Sequence, residues 1–171
     1  MENSGRDTKE PSTVSKIQND NSLTNTENNL IKNLKYEIKL NQDNQYIITS
    51  DLSEITYENN IEIVKMQNVE AILIDQTNIP IIVTSDQAIY NNSSYNTKFN
   101  KNVKIKYLDN LILSDYMGLD FNNNLITINK NVKYKGLQGT ILADNVKIDL
   151  ITKKIEIYMD DTKDNVEIAT K

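Results

Sequence analysis

From Leu34 onward, apolar and polar residues alternate along the chain with a period of two. Val103, Ile105 and Tyr107 fall on one side of their segment, with Lys104 and Lys106 on the other. Val146, Ile148 and Leu150 oppose Lys147 and Asp149, and Ile155, Ile157 and Met159 oppose Glu156 and Tyr158. This period predicts strands with one buried face. No stretch of similar length carries a helical period. Between the apolar runs lie Glu58–Asn60, Asn91–Ser94, Asp109–Asn110, Asn122–Asn124 and Thr152–Lys154. Asn tolerates positive φ and hydrogen-bonds its own backbone, so these segments read as hairpin turns. Short strands at regular spacing predict an all-β sandwich, barrel or roll. Residues 1–33 are polar and without period, too poor in apolar surface to offset the entropy of ordering. They are expected to be a disordered N-terminal linker, and residues 34–171 the folded domain.

The alternating region repeats itself. An Asn-Val-Lys/Glu triplet begins at Asn68, Asn102, Asn131 and Asn165, at offsets of 34, 29 and 34. A small residue followed by Asp recurs at Ser50-Asp51, Ser85-Asp86, Ser114-Asp115 and Ala143-Asp144, at offsets of 35, 29 and 29. The two markers alternate in phase. Most units then read as a small-Asp strand, an Asn-rich turn, a strand, and an Asn-Val pair opening another strand. A period of about 30 residues signals stacked units, none able to bury its apolar face alone. The ends of such a stack present unpaired backbone, which is either blunted or used to add another protein's strand.

Composition narrows the chemistry. The 171 residues include no His and no Cys, so His- or Cys-based nucleophilic triads, disulfides and zinc sites of those ligands are excluded. Net charge is −5 and Lys residues are interleaved with acids, which argues against a nucleic-acid partner. No apolar run approaches the roughly 20 residues of a transmembrane helix, so the chain as written is expected to be soluble. The acidic run Asp160–Asp164 lacks EF-hand spacing and reads as a solvated turn, and no metal site is expected. Asp51, Asp86, Asp115 and Asp144 sit in repeat phase, which assigns them a turn or strand-start role rather than acid–base chemistry.

The ordered series from Ser85 to Ile157, "SDQAIYN" followed by "NKNVKIKYLDNLILSDYMGLDFNNNLITINKNVKYKGLQGTILADNVKIDLITKKIEI", resembles the OstA-like lipopolysaccharide export proteins. The resemblance spans about residues 45–169, and the early "YIITSDLSEITYENN" favours the LptC family within that group. It implies a twisted, slightly open antiparallel β-jellyroll, here built from about four hairpin-like units. It implies non-catalytic transport of lipopolysaccharide from the inner membrane, with no cofactor. The implied partners are lipopolysaccharide, an inner-membrane ABC transporter complex of LptBFG type and a periplasmic bridge protein of LptA type, the jellyrolls joining edge to edge. The implied location is the periplasm, at the inner membrane. Members of this family normally begin with one transmembrane helix, and this chain shows none. Either the helix lies upstream of Met1, residues 1–33 then being its spacer, or the protein is a variant without it.

Acyl chains would slide along the apolar interior. Alternation supplies the inward-facing candidates Ile105, Tyr107, Met117, Leu119, Phe121, Ile126, Ile128, Val132, Tyr134, Ile148 and Ile157. An ordinary sandwich core would show the same alternation, so the discriminator is whether the layers close or leave a groove. Val166, Glu167 and Ile168 are the candidate partner edge, and the first strand of the roll, near Tyr36–Leu40, would face the transporter side. The competing readings are a structural or adhesive β-roll and a carbohydrate-active enzyme, the latter without a convincing acid–base pair.

Overall fold

The computed structural model describes residues 14–17, 30–40, 44–74, 76–137, 139–152, 154–160 and 167–170, the first and last of these by backbone alone. It is an all-β protein. Its strands are β1 (Val14–Ile17), β2 (Leu30–Lys39), β3 (Gln45–Glu58), β4 (Ile61–Ile74), β5 (Ile81–Asn91), β6 (Thr97–Tyr107), β7 (Asn110–Asp120), β8 (Leu125–Gly136), β9 (Gly139–Asp149), β10 (Ile155–Tyr158) and β11 (Glu167–Thr170). All pair antiparallel in one open sheet whose order follows the chain from β1 to β10, with β11 also on β9. β1 and the first four residues of β2, Leu30–Asn33, lie inside the segment expected to be a linker; the other residues of that segment lie outside the described ones.

The five Asn-rich or polar segments fall at hairpin turns. Asn59 and Asn60 both have positive φ (50° and 64°), the backbone of a two-residue turn matched to strand twist. Three wider turns share one device. The side-chain oxygen of Asn91 accepts from the backbone N–H of Ser93 and Ser94, that of Asp120 from Asn122 and Asn123, and that of Asp149 from Ile151 and Thr152.

The repeat markers among the described residues, all but Asn165-Val166, do not open strands. They lie in the middle of them, where each long strand bends. Asn68, Lys101, Asn102, Lys130 and Asn131 adopt left-handed φ between 50° and 66°, and pairing slips between Thr84 and Gln87, Asn100 and Val103, Leu113 and Tyr116, and Asn129 and Val132. These are β-bulges, which kink a strand without ending it. At each kink the two markers meet across strands. Asn68 donates to Asp51 at 3.0 Å, Asn102 to Asp86 at 2.7 Å and Asn131 to Asp115 at 2.5 Å. In the last unit Asp144 accepts from the backbone N–H of Asp160 at 2.9 Å. The small residue is buried beside its Asp; Ser85 and Ser114 donate to the carbonyls of Gln87 and Tyr116, satisfying groups that the bulge frees from the ladder.

Aligned kinks crease the sheet into two halves. Half A holds residues 34–39, 45–50, 69–74, 81–84, 103–107, 110–113, 132–136 and 139–142, and half B the remaining strand segments beyond the crease. The halves face each other. Tyr36 of half A stacks on Tyr90 of half B with ring centroids 5.0 Å apart, and Tyr46 of half A packs on Phe121 at 5.3 Å. The Tyr46 hydroxyl also meets Thr97 Oγ1 across the interior at 2.8 Å. The result is a twisted, slightly open β-jellyroll.

Candidate functional site: an apolar trough with an open end

Cross-strand partners on one face of a sheet point the same way, so register lines up the interior in rows. In half A one row begins Tyr36–Ile48–Ala71–Val83–Ile105, all buried. It continues through Ile112, Tyr134 and Ile141, all half-buried, and reaches backbone register with Ile168. In half B a row runs Met66–Ala88–Phe99–Met117–Ile128–Val146, all buried, and ends at Ile157, which is 38% exposed. A parallel row runs from Val64 through Tyr90, Thr97, Leu119 and Ile126 to half-buried Ile148 and then Ile155, 59% exposed. Cover is therefore complete at the β2–β6 end and is withdrawn in half A from β7 onward and in half B at β9 and β10.

Each predicted trough residue has a definite place in this gradient. Ile105, Met117, Leu119, Ile126, Ile128 and Val132 are buried within the packed interior. Phe121 and Ile148 are partly covered and pack against it. Tyr134 is half-buried, and its hydroxyl donates to Asn110 Oδ1 at 2.6 Å. Tyr107, at the end of its strand, and Ile157, on β10, are the exposed members. Burial dominates the ionisation of the interior tyrosines: it pushes the Tyr36, Tyr46 and Tyr90 hydroxyls well above the ordinary range, so all three remain neutral donors. The Tyr36 hydroxyl donates to Glu62 at 2.7 Å, which ties the two halves together at the closed end.

At the sheet edges, β1 pairs with Lys35–Ile38 of β2 and so occupies that part of its outer side. The outer side of β9 is shared. β10 takes Asn145–Ile148, and β11 takes Gly139–Leu142 through Glu167–Thr170. Of the predicted partner edge, Glu167 and Ile168 are thus in β11, while Val166 lies outside the described residues. Ile112 and Ile141 join the open end without having been singled out from sequence, as does Ile155, which alternation places beside Ile157 but not among the trough candidates. Ile141 alternates with Ala143 and Ile155 with Ile157, so the signal was present. Among the described residues no group of acidic side chains is arranged to hold a metal.

The architecture defines a class: a creased, open β-roll with a continuous apolar interior and exposed edge strands. The family model described as "Lipopolysaccharide-assembly, LptC-related" matches residues 6–162, and the chain belongs to this family. Membership carries a role in lipopolysaccharide transport, as a periplasmic component of that system. Comparison with curated proteins gives no match. Among the described residues no helix is long and apolar enough to cross a membrane.

Proposed function

We propose that the protein relays lipopolysaccharide without catalysis, its acyl chains passing along the apolar trough and leaving at the end formed by β8 to β11. The supporting observation is the gradient within each interior row. A row packed tight throughout would be a core and nothing more. These rows stay apolar while their cover is withdrawn, leaving Tyr134, Ile141, Ile148 and Ile157 beside solvent. Removing acyl surface from water there is worth about 25 cal/mol per Å². The sealed part then opens by separation of the two halves, with Ile105, Met117, Leu119, Phe121, Ile126, Ile128 and Val132 as its lining.

The same reading gives the edges their partners. The β1–β2 edge faces a jellyroll of the inner-membrane transporter complex, and the β10–β11 edge adds a strand from a periplasmic bridge protein. Photocrosslinking tests the relay. Probes at Tyr107, Tyr134 and Ile157 are expected to capture lipopolysaccharide, and probes at outward Lys104 and Lys133 are not. Equal capture at both sets would leave a structural or adhesive roll as the better account.

A further inference from the structure

The outer face of half B carries a depression of about 340 Å³ that the transport reading does not use. It is lined by residues from four consecutive strands, among them Tyr116, Thr127, Asn129, Lys130, Asn145, Lys147 and Tyr158. Their neighbours in sequence, Met117, Ile128 and Val146, point into the core, so alternation sends Tyr116, Thr127, Asn129, Asn145 and Lys147 to the opposite, outer face, while Lys130 reaches the depression from the β8 bulge.

Register sets them in order. Tyr116 pairs with Asn129, Asn129 with Asn145, and Asn145 with Tyr158. One row therefore reads Tyr-Asn-Asn-Tyr, two carboxamides between two aromatic rings. The adjacent row reads Gly118, Thr127, Lys147 and Glu156. Gly118 makes room for the depression: a Cβ there would stand 2.9 Å from Thr127 Oγ1 and 3.0 Å from the Tyr116 hydroxyl. Any larger residue would displace both.

The polar groups are partly committed, and what remains is informative. Asn145 donates its amide to Asp160, which fixes the orientation of the side chain and leaves its carbonyl oxygen as an acceptor. Asn129 Oδ1 is buried and has no hydrogen-bond partner among the described residues. Glu156, across from Lys147, is bridged by Lys154 at 2.7 Å. Asp115 is held by Asn131. Lys147 Nζ lies 5.4 Å from the centre of the Tyr158 ring, positioned over an aromatic face, with Glu156 as its cross-strand neighbour.

Aromatic faces, carboxamides, a hydroxyl and ammonium groups together match sugar rings that carry a negative substituent. Three strand spacings separate the two tyrosines, about 14 Å, which is a span of two rings rather than one. We propose that this row binds an anionic saccharide of about two rings. The rings lie against Tyr116 and Tyr158, hydroxyls bond Asn129, Asn145 and Thr127, and the phosphate or carboxylate meets Lys147 and Lys130. The sugar belongs either to the lipopolysaccharide being carried, in which case the inference rests on the transport reading, or to a free oligosaccharide, in which case it does not.

Titration of the full chain, followed by NMR shifts of the lining residues, tests the site. The probes are trehalose, trehalose 6-phosphate, inorganic phosphate and a delipidated, phosphorylated core oligosaccharide. Trehalose 6-phosphate is expected to bind at least five-fold tighter than trehalose. Lys147→Gln should erase that preference, and Tyr158→Ala should weaken both sugars several-fold. Both variants lie on exposed positions and should leave the remaining spectrum unchanged. Tighter binding of the core oligosaccharide assigns the site to the carried lipid, and the reverse assigns it to a free glycan. If the lining residues shift equally for phosphate alone, or if both variants bind as the parent does, the proposal is overturned. Interior crosslinking is read separately, so either result stands without the other.

Discussion

The smallest unit of this fold is an asparagine and an aspartate from neighbouring strands. Asn102 has φ of 50° and gives its amide to Asp86; Asn131, at 58°, does the same with Asp115. Asn suits this position twice, because it tolerates left-handed backbone and carries a donor. Asn102→Ala should cost about 1 kcal/mol in urea unfolding, for the lost bond and the strained φ. Asn102→Gly, which removes only the bond, should cost less. If Asp86→Ala and Asn102→Ala add without coupling, the pair does not hold the crease. Asp120 offers a test by pH. Its carboxylate accepts from the Asn123 side chain at 2.7 Å and from Asn96 at 3.0 Å, besides the backbone of Asn122 and Asn123. These bonds, the Asn123 side chain foremost, hold its pKa below the usual carboxylate range. Its stabilisation is therefore complete above the unfolded value, about 3.9, and is lost as pH falls through the lower folded value. Asp120→Asn should flatten the acid limb of the stability profile below pH of about 4, and an unchanged limb would refute the assignment.

At the scale of strands and turns, alternation and Asn-rich punctuation were enough to place the hairpins, because period and turn chemistry act within a few residues. The kink was not legible in the same way. "KNVKIKY" looks like the start of a strand, since the polar Lys101-Asn102 pair breaks alternation; in fact β6 runs through it from Thr97. The break marks a bulge, and a bulge and a turn draw on the same residues. Another signal went unread: Asn91, Asp120 and Asp149, 29 residues apart, cap equivalent turns. How much of the interior stays covered depends on facing layers, which no local pattern encodes. The edge strands belong to this scale. Four residues of β11 pair with Gly139–Leu142, a short attachment, and the proposed partner strand would add to the free side of β11. Truncation after Asp160 should shift Tm by only a few degrees while reducing affinity for a bridge-type jellyroll at least ten-fold, measured by calorimetry. Undiminished affinity would place the docking edge elsewhere.

Across the whole molecule, β1 to β10 pair in chain order, with β11 returning to β9, so the interior is built as a series rather than a knot of distant contacts. A series can differ from end to end, and here it does. The stacked Tyr36 and Tyr90, the Tyr46–Phe121 contact and the Tyr46–Thr97 bond close one end, while no equivalent aromatic contact joins the halves among the described residues of β9 and β10. A fully buried side chain of this size stabilises by about 1.5–3 kcal/mol, and half-buried Ile141, Tyr134 and Ile148 forgo part of that. That uncovered surface is the feature a relay requires, and it makes the open end separable from the fold. Ile141→Asp puts a charge in the path at a position with water nearby, so the native state should survive with a modest loss, on the order of 1–2 kcal/mol. Met117→Asp, in the sealed interior, should prevent folding because a buried carboxylate there has no partner. With Ile141→Asp, lipid captured by a probe at Ile157 should fall several-fold and that captured at Tyr107 should rise, as cargo accumulates behind the block. If capture at Ile157 is unaffected, acyl chains do not leave by this end and the gradient of burial is only the fraying of a core.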